Sequence, residues 1–78
     1  MLLEIITPEK NLFEGEVSSV TLPGVSGEFA ILNNHAPIVA SLQSGKIRIV
    51  DSSNKKEEFA INSGVVEMKS NKIIVLAD

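Results

Sequence analysis

The chain has 78 residues, 44% of them hydrophobic, and a formal net charge of −3 at pH 7. A chain this short is expected to form one domain, residues 1–78, because two separate cores would each bury too little apolar surface. The acidic balance and the aromatic content of only 4% argue against nucleic-acid binding, which requires a basic surface and stacking side chains.

The predicted elements are short segments rich in Ile and Val, each stopped by turn residues such as Pro, Gly, Ser or Asn. Short strands separated by turns are typical of a two-sheet β-sandwich or flattened barrel. No window of helical length is free of Gly, Pro or β-branched clusters, so we expect no helix. In chain order the strand segments are 2–7, 12–22, 27–32, 38–42, 46–51, 57–62, 65–69 and 72–77.

Alternation with a period of two supports strands and predicts which side chains face the core. Ile47 and Ile49 lie on one face of their segment, and Lys46 and Arg48 on the other. The same pattern sets Phe59 and Ile61 against Glu58 and Asn62, and Val66 and Met68 against Glu67 and Lys69.

Two segments, 2–6 and 73–76, carry apolar residues on both faces. Strands of this kind are covered on both sides. The second cover comes either from neighbouring loops or from another subunit, and the sequence leaves both open. Within the long second strand, Gly15 suggests a β-bulge where that strand bends.

The mean hydropathy of +0.20 is high for so small a domain. Because a small domain has much surface and little interior, some apolar side chains must remain outside. A large exposed apolar patch usually marks a partner surface. The composition therefore favours a protein that docks on another protein.

The chain contains no cysteine, so disulfides and thiolate metal sites are not expected. No apolar run approaches the about 20 residues that span a bilayer. The first residues, Met1 to Glu4, lack the basic region of a signal peptide. We expect a soluble cytoplasmic protein.

His35 is the only histidine. Nucleophilic catalysis needs an orienting carboxylate and a nucleophile beside the imidazole, and the nearest acid in sequence is Glu28. A metal site needs several ligands at characteristic spacing, and none is visible. A structural or interface role for His35 is favoured, and we predict no catalytic, metal or cofactor site.

Most of the acidic residues fall at strand edges or in loops, where they are expected to be solvated. Glu28 differs because it follows the Gly-rich turn 23–27 directly. A carboxylate beside a rigid turn suits contact with a cationic partner loop. The turn lacks the Gly-Lys-Ser/Thr ending of a phosphate-binding loop, and no helix follows it.

An alternative function comes from Lys69, because Glu67-Met68-Lys69 faintly resembles the Met-Lys-Met acceptor of biotinyl and lipoyl carrier domains, which are also small and all-β. Here the lysine precedes a turn at 70–71 instead of occupying its tip. An exposed lysine on a polar strand face is the simpler interpretation, and intact mass from cells would distinguish the two.

Residues 22–37, which read Leu-Pro-Gly-Val-Ser-Gly-Glu-Phe-Ala-Ile-Leu-Asn-Asn-His-Ala-Pro, resemble the signature of the ATP synthase epsilon family. Segments 7–17, 45–49 and 64–78 resemble the opening, middle and closing strands of that family. The resemblance therefore covers nearly the whole chain in order.

The resemblance implies an all-β sandwich or flattened barrel of about eight to ten short antiparallel strands at the foot of a rotating central stalk. It further implies a non-catalytic subunit, without cofactor, that docks on the gamma subunit and the c-ring of a proton-translocating F-type ATP synthase. Such a subunit couples ring rotation to ATP synthesis at the cytoplasmic face of the bacterial membrane.

Contact residues follow from the resemblance by position. The c-ring contact would consist of Ser26, Gly27, Glu28 and Phe29, opposite a cationic residue in the polar loops of the ring. The gamma contact would consist of Thr7, His35, Ala36, Pro37, Ile38 and Ala40. Pro37 holds Ala36 extended and stiffens its loop.

Departures from the family pattern occur at Ala30 and Ser63, where members often have Gly, and at Asn33-Asn34, where they often have Pro-Gly. Relatives continue beyond the position of Asp78 into a two-helix tail that can brake ATP hydrolysis and, in some members, binds ATP. We expect a short form without this helical hairpin and without ATP binding.

Overall fold

The computed structural model describes all residues, Met1–Asp78, and contains eight strands and no helix. The strands are β1 (Leu2–Ile6), β2 (Asn11–Gly24), β3 (Gly27–Leu32), β4 (Ile38–Leu42), β5 (Gly45–Asp51), β6 (Lys56–Ile61), β7 (Gly64–Lys69) and β8 (Lys72–Ala77). β3, β4 and β8 have the predicted bounds, and the others differ by one or two residues. The structure has no helix with the length and apolarity needed to cross a membrane.

The strands hydrogen-bond in the order β1-β8-β7-β4-β2-β5-β6, with β3 also on β2 and β1 closing back onto β2. β2 is long enough, at 14 residues, to serve both layers. Its first half pairs with β1, and its second half pairs with β3 and β5. The result is a flattened barrel whose two layers share β2, which confirms the predicted all-β fold.

Pairing is antiparallel throughout except between β1 and β8, which run parallel. These two strands lie at opposite ends of the chain, so no tight hairpin joins them. Their relative direction is therefore not set by a turn, and a parallel arrangement is allowed. Sequence patterning contains no signal for this pair. It was therefore expected to be antiparallel like the others.

The predicted bulge at Gly15 is wrong. Gly15 pairs regularly with Leu3, and the register of β2 shifts instead between Val17 and Ser19 and opposite the Ile5–Ile6 step. A Cβ on Gly15 would lie 3.3 Å from Cζ of Phe13, so the glycine gives that ring a surface on which to lie. Side-chain packing, and not an irregularity of the backbone, therefore accounts for the glycine at position 15.

Sixteen apolar side chains fill the space between the layers, and no polar or charged residue is buried. Of the inward residues predicted from the alternation, Ile47, Ile49, Ile61, Val66 and Met68 belong to this core, and Phe59 is partly buried against it. Phe13 and Phe59 pack at the margin of the core with ring centroids 5.8 Å apart and planes tilted by 58°.

β1 and β8 bury only one of their two apolar faces. Leu3, Ile5, Ile73 and Val75 are fully buried, whereas Leu76 on the other face is 57% exposed. The other outward apolar residues of these strands, Leu2, Ile6 and Ile74, are half-buried. Of the two covers considered from the sequence, the rest of this chain leaves Leu76 uncovered.

Candidate docking surface

The outer face of β4, β7, β8 and β1 carries a cluster of apolar side chains. Register places Leu76 opposite both Val65 and Ile6, and places Ile74 opposite Glu67, which is in turn opposite Val39. We call Ile6, Val39, Val65, Ile74 and Leu76 the apolar face.

The apolar face is partly open to solvent, because three of its residues are exposed and two, Ile6 and Ile74, are half-buried. Val39 is 70% exposed and Val65 is 45% exposed, and both line one shallow depression together with Glu67, Ile74 and Leu76. Apolar side chains exposed singly are ordinary, but a contiguous group on a flat sheet usually marks an interaction site. Exposing them costs free energy that burial by a partner would recover at about 25 cal/mol per Å².

The apolar face continues into a depression at each of its ends. At one end Thr7 and Pro8 lie beside Ile6 and Leu76. At the other end Pro37 and Ile38 lie beside Val39 and Glu67. Thr7 and Pro37, two of the residues assigned to a gamma contact by resemblance, therefore lie at opposite ends of one continuous surface.

The sequence leaves open whether Ile38 on strand β4 is exposed or belongs to the core. Ile38 and Ala40 are half-buried and pack against the core, whereas Val39 between them points outward. The resemblance assigned contact residues by position and carried no information about side-chain direction. Val39, Val65 and Leu76 were therefore missed, although the two-faced apolar pattern of β8 pointed toward such a surface.

The loop of residues 33–37 connects β3 to β4 and is exposed along its whole length. The His35 amide donates to the carbonyl of Leu32 at 3.1 Å, and its ring Nδ1 donates to the carbonyl of Ala36 at 2.7 Å. No carboxylate orients the imidazole, so the contacts of His35 are those of a loop residue.

The Gly-rich turn lies at the end of the domain where Thr7 also lies. Val25 is 59% exposed, and Gly27 has a φ of +126°, a conformation that favours glycine. The backbone N–H of Val25 donates to the carbonyl of Ser41 at 3.0 Å, and that of Gln43 to the carbonyl of Pro23 at 2.8 Å. These bonds tie the turn to the end of β4.

The four residues assigned to a c-ring contact divide between two sides of the turn. Ser26, Gly27 and Glu28 are exposed, whereas Phe29 is half-buried against the core. The Phe29 ring takes the place that a side chain on Gly24 would need, because a Cβ there would lie 2.7 Å from Cε1 of Phe29. Phe29 therefore supports the turn from below.

Charged side chains cover the outer face of the second layer. Glu28 pairs with Arg48, and Lys46 pairs with Glu58 at 3.7 Å. The structure contains no group of three or more His, Cys, Asp or Glu side chains able to hold a metal ion. Lys69 is the last residue of β7, directly before the Ser70–Asn71 turn, so it does not occupy the hairpin tip that a carrier lysine would require.

Comparison with protein families finds one match over residues 1–78, to the β-sandwich domain of the ATP synthase delta/epsilon chain. The chain is 45% identical over 76 residues to the ATP synthase epsilon chain of Chlorobium limicola, covering 97% of this chain and 86% of that one. It is 42% identical over 76 residues to the ATP synthase epsilon chain of Helicobacter pylori, covering 97% of this chain and 61% of that protein.

Two solved structures share the fold. A chain in the cryo-EM structure of the Euglena gracilis mitochondrial ATP synthase superposes with a TM-score of 0.91 at 19% identity, over 99% of this chain and 49% of that one. A chain in the Tetrahymena thermophila mitochondrial ATP synthase central stalk and c-ring superposes with a TM-score of 0.80 at 21% identity, over 99% of this chain and 62% of that one.

Proposed function

Because the chain belongs to the family of ATP synthase delta/epsilon chain β-sandwich domains, we propose that it is a rotor subunit of the central stalk in a proton-translocating F-type ATP synthase. Residues 1–78 act as one epsilon-type domain that docks on the gamma subunit and the c-ring. The subunit performs no chemistry and transmits torque from the ring to the catalytic head. It works at the cytoplasmic face of the bacterial membrane, as a peripheral member of the complex.

The observation that carries this proposal is the partly exposed apolar face. A rotor subunit must remain attached under load. The centre of a permanent interface is more apolar than the rest of the protein surface. The apolar face lies on a hydrogen-bonded sheet and is backed by the core, so it offers a stiff surface for a partner. Gamma is the proposed occupant.

In this arrangement gamma spans the apolar face from end to end. It contacts Val39, Val65 and Leu76 at the centre, Thr7 at one end, and the His35, Ala36 and Pro37 loop at the other. Ile38 and Ala40, which pack inward, support this surface from beneath instead of touching gamma.

The c-ring contact lies at the turn between β2 and β3. Ser26, Gly27 and Glu28 present polar groups there, and Phe29 packs beneath them. The ion pair with Arg48 uses Oε2 of Glu28, and the Glu28 side chain is 59% exposed, so it can also meet a cationic side chain of the ring. Charge complementarity of this kind sets register between partners more than it adds affinity.

The test is a pull-down of the tagged chain from its native host, comparing the wild type with Leu76→Asp. Leu32→Asp is the matched control, because Leu32 is 60% exposed against 57% for Leu76 but lies on β3 in the other layer. We expect wild type and control to retain gamma, alpha and beta subunits and Leu76→Asp to lose them. Equal recovery with all three chains contradicts docking on the apolar face.

A further inference from the structure

Three segments meet at the end of the domain where β4 begins. They are the exposed 33–37 loop, the Ser70–Asn71 turn between β7 and β8, and the first residues of β1. Ile38 is opposite Met68, and Leu2 is opposite Lys72, so the ladder brings all three segments to the same edge.

Asn71 joins these segments with its side chain and its backbone. Its Oδ1 accepts a hydrogen bond from the backbone N–H of Asn34 at 2.9 Å, and its Nδ2 donates to Oδ1 of Asn33 at 3.2 Å. Its carbonyl accepts from the backbone N–H of Leu2 at 3.2 Å. One residue thus holds a loop that lies 37 and 38 positions away in sequence.

The 33–37 loop has few other restraints. Within it, the His35 N–H bonds back to Leu32, and Oδ1 of Asn33 also accepts from the α-amino group of Met1 at 3.2 Å. All five loop residues are exposed, so packing does not fix their position. The amide of Asn71 is therefore the restraint that ties the loop to the β7–β8 hairpin.

The turn favours an asparagine here but does not require one. Ser70 and Asn71 have φ values of 52° and 60°, as a tight hairpin turn requires. Glycine adopts this left-handed conformation at least as readily as asparagine does. The backbone would accept either residue, whereas the two bonds to the loop need a side-chain amide.

We propose that Asn71 is a positioning residue: by bonding to Asn33 and Asn34 it holds the 33–37 loop in the shape in which residues 35–37 meet the partner at the end of the apolar face. This inference rests on the proposed function, in which that loop contacts gamma. A loop held in its bound shape loses less conformational freedom on association, so binding is tighter than with a free loop. Asn71 touches the loop and need not touch gamma.

The test uses Asn71→Gly, which keeps the turn and removes both side-chain bonds. Ser70→Gly is the matched control, because Ser70 is exposed, has the same left-handed backbone, and makes no side-chain bond to the loop. Two quantities are measured on each full chain: amide hydrogen exchange at Asn34 by NMR, and the Kd for the purified gamma subunit of the same ATP synthase.

We expect Asn71→Gly to speed exchange at Asn34 about tenfold and to weaken gamma binding about tenfold, with Ser70→Gly within about twofold of wild type on both. If the wild-type chain binds gamma and Asn71→Gly binds it with the same Kd, the positioning role of Asn71 is overturned. The role is also overturned if Ser70→Gly weakens gamma binding as much as Asn71→Gly does. A wild-type chain that does not bind gamma overturns the proposed function instead.

A second variant covers the case in which Asn71→Gly does not fold. Asn33→Ala removes the oxygen that accepts from Nδ2 of Asn71 and from the α-amino group of Met1, and it leaves the β7–β8 turn intact. We expect it to weaken gamma binding about threefold, because the bond to the Asn34 N–H remains. An unchanged Kd for Asn33→Ala counts against the positioning role.

Discussion

Glu28 and Arg48 form an ion pair across strand β2, which separates them in the sheet. Glu28 is opposite Pro23 on one side of β2, and Arg48 is opposite Thr21 on the other. Both side chains are about half exposed, at 59% and 48%. Exposed pairs of this kind contribute about 0–1 kcal/mol. The pair therefore matters for where it holds the carboxylate and not for the stability of the domain.

The first prediction concerns the charge of Glu28. Glu28→Lys should leave the fold intact, since the lost pair is a surface pair. In the proposed c-ring contact two cations would then face a cationic loop, so ATP-driven proton pumping by the assembled complex should fall. The measurement is pumping in membrane vesicles, with the thermal midpoint of the isolated chain alongside.

Glu58→Lys is the matched control for Glu28→Lys. Glu58 lies on the same outer face, is 53% exposed and pairs with Lys46. We expect this variant to pump like the wild type. If both variants, or neither, lose pumping, Glu28 has no special part in contact with the c-ring.

The second prediction separates neighbouring residues of β4. Ile38→Asp should lower the free energy of unfolding by about 2–4 kcal/mol, because it sets a carboxylate against the core. Val39→Asp should change stability little, since Val39 is 70% exposed, but should weaken gamma binding. Urea unfolding and gamma affinity are measured on both. A stable Ile38→Asp chain is incompatible with the inward direction of that side chain.

The third prediction concerns the support of the Gly-rich turn. In Gly24→Ala the new Cβ would lie 2.7 Å from the Gly27 carbonyl oxygen and 2.7 Å from Cε1 of Phe29. We expect a loss of about 1–3 kcal/mol, because the carbonyl belongs to the backbone and cannot swing away.

Gly15→Ala is the control for Gly24→Ala. Its Cβ would meet only Phe13 side-chain atoms, at 3.3 and 3.6 Å, and a ring can shift by a few tenths of an ångström. Denaturant unfolding should rank Gly24→Ala well below Gly15→Ala in stability. The reverse order would contradict the close approach of Phe29 to Gly24.

The fourth prediction concerns the aromatic pair at the margin of the core. A double-mutant cycle with Phe13→Leu and Phe59→Leu should give a coupling free energy of about 0.5–1.5 kcal/mol, because the rings are in contact with a tilted geometry. The quantity is read from urea unfolding of the four chains. Additive single losses would show that the rings do not stabilise one another.

Local patterning predicted the strands well for a physical reason. In a thin sandwich each strand must place every second side chain in the core, and a turn must follow every few residues, so both features are written in consecutive residues. This is why Ile47 and Met68 were correctly placed inside, and why β3, β4 and β8 have the expected bounds. The family signature at 22–37 likewise depends on consecutive residues.

Relations between distant residues were beyond the reach of patterning. The parallel pairing of β1 with β8, the ion pair between Glu28 and Arg48, and the bonds from Asn71 to the 33–37 loop each join segments from separate parts of the chain. The sequence could not predict that the Val39 side chain points outward, because Ile38 and Val39 are both apolar and either could have been buried. The outcome depends on which side of β4 meets the core.

The amino-acid sequence alone therefore determined that this chain forms short strands, which side chains most of them bury, and which family it resembles, because these properties reside in composition and neighbouring residues. Only the tertiary structure decided that Ile6, Val39, Val65, Ile74 and Leu76 share one partly exposed surface. A surface built from four strands exists only once their register is set, and that register depends on packing across the whole domain.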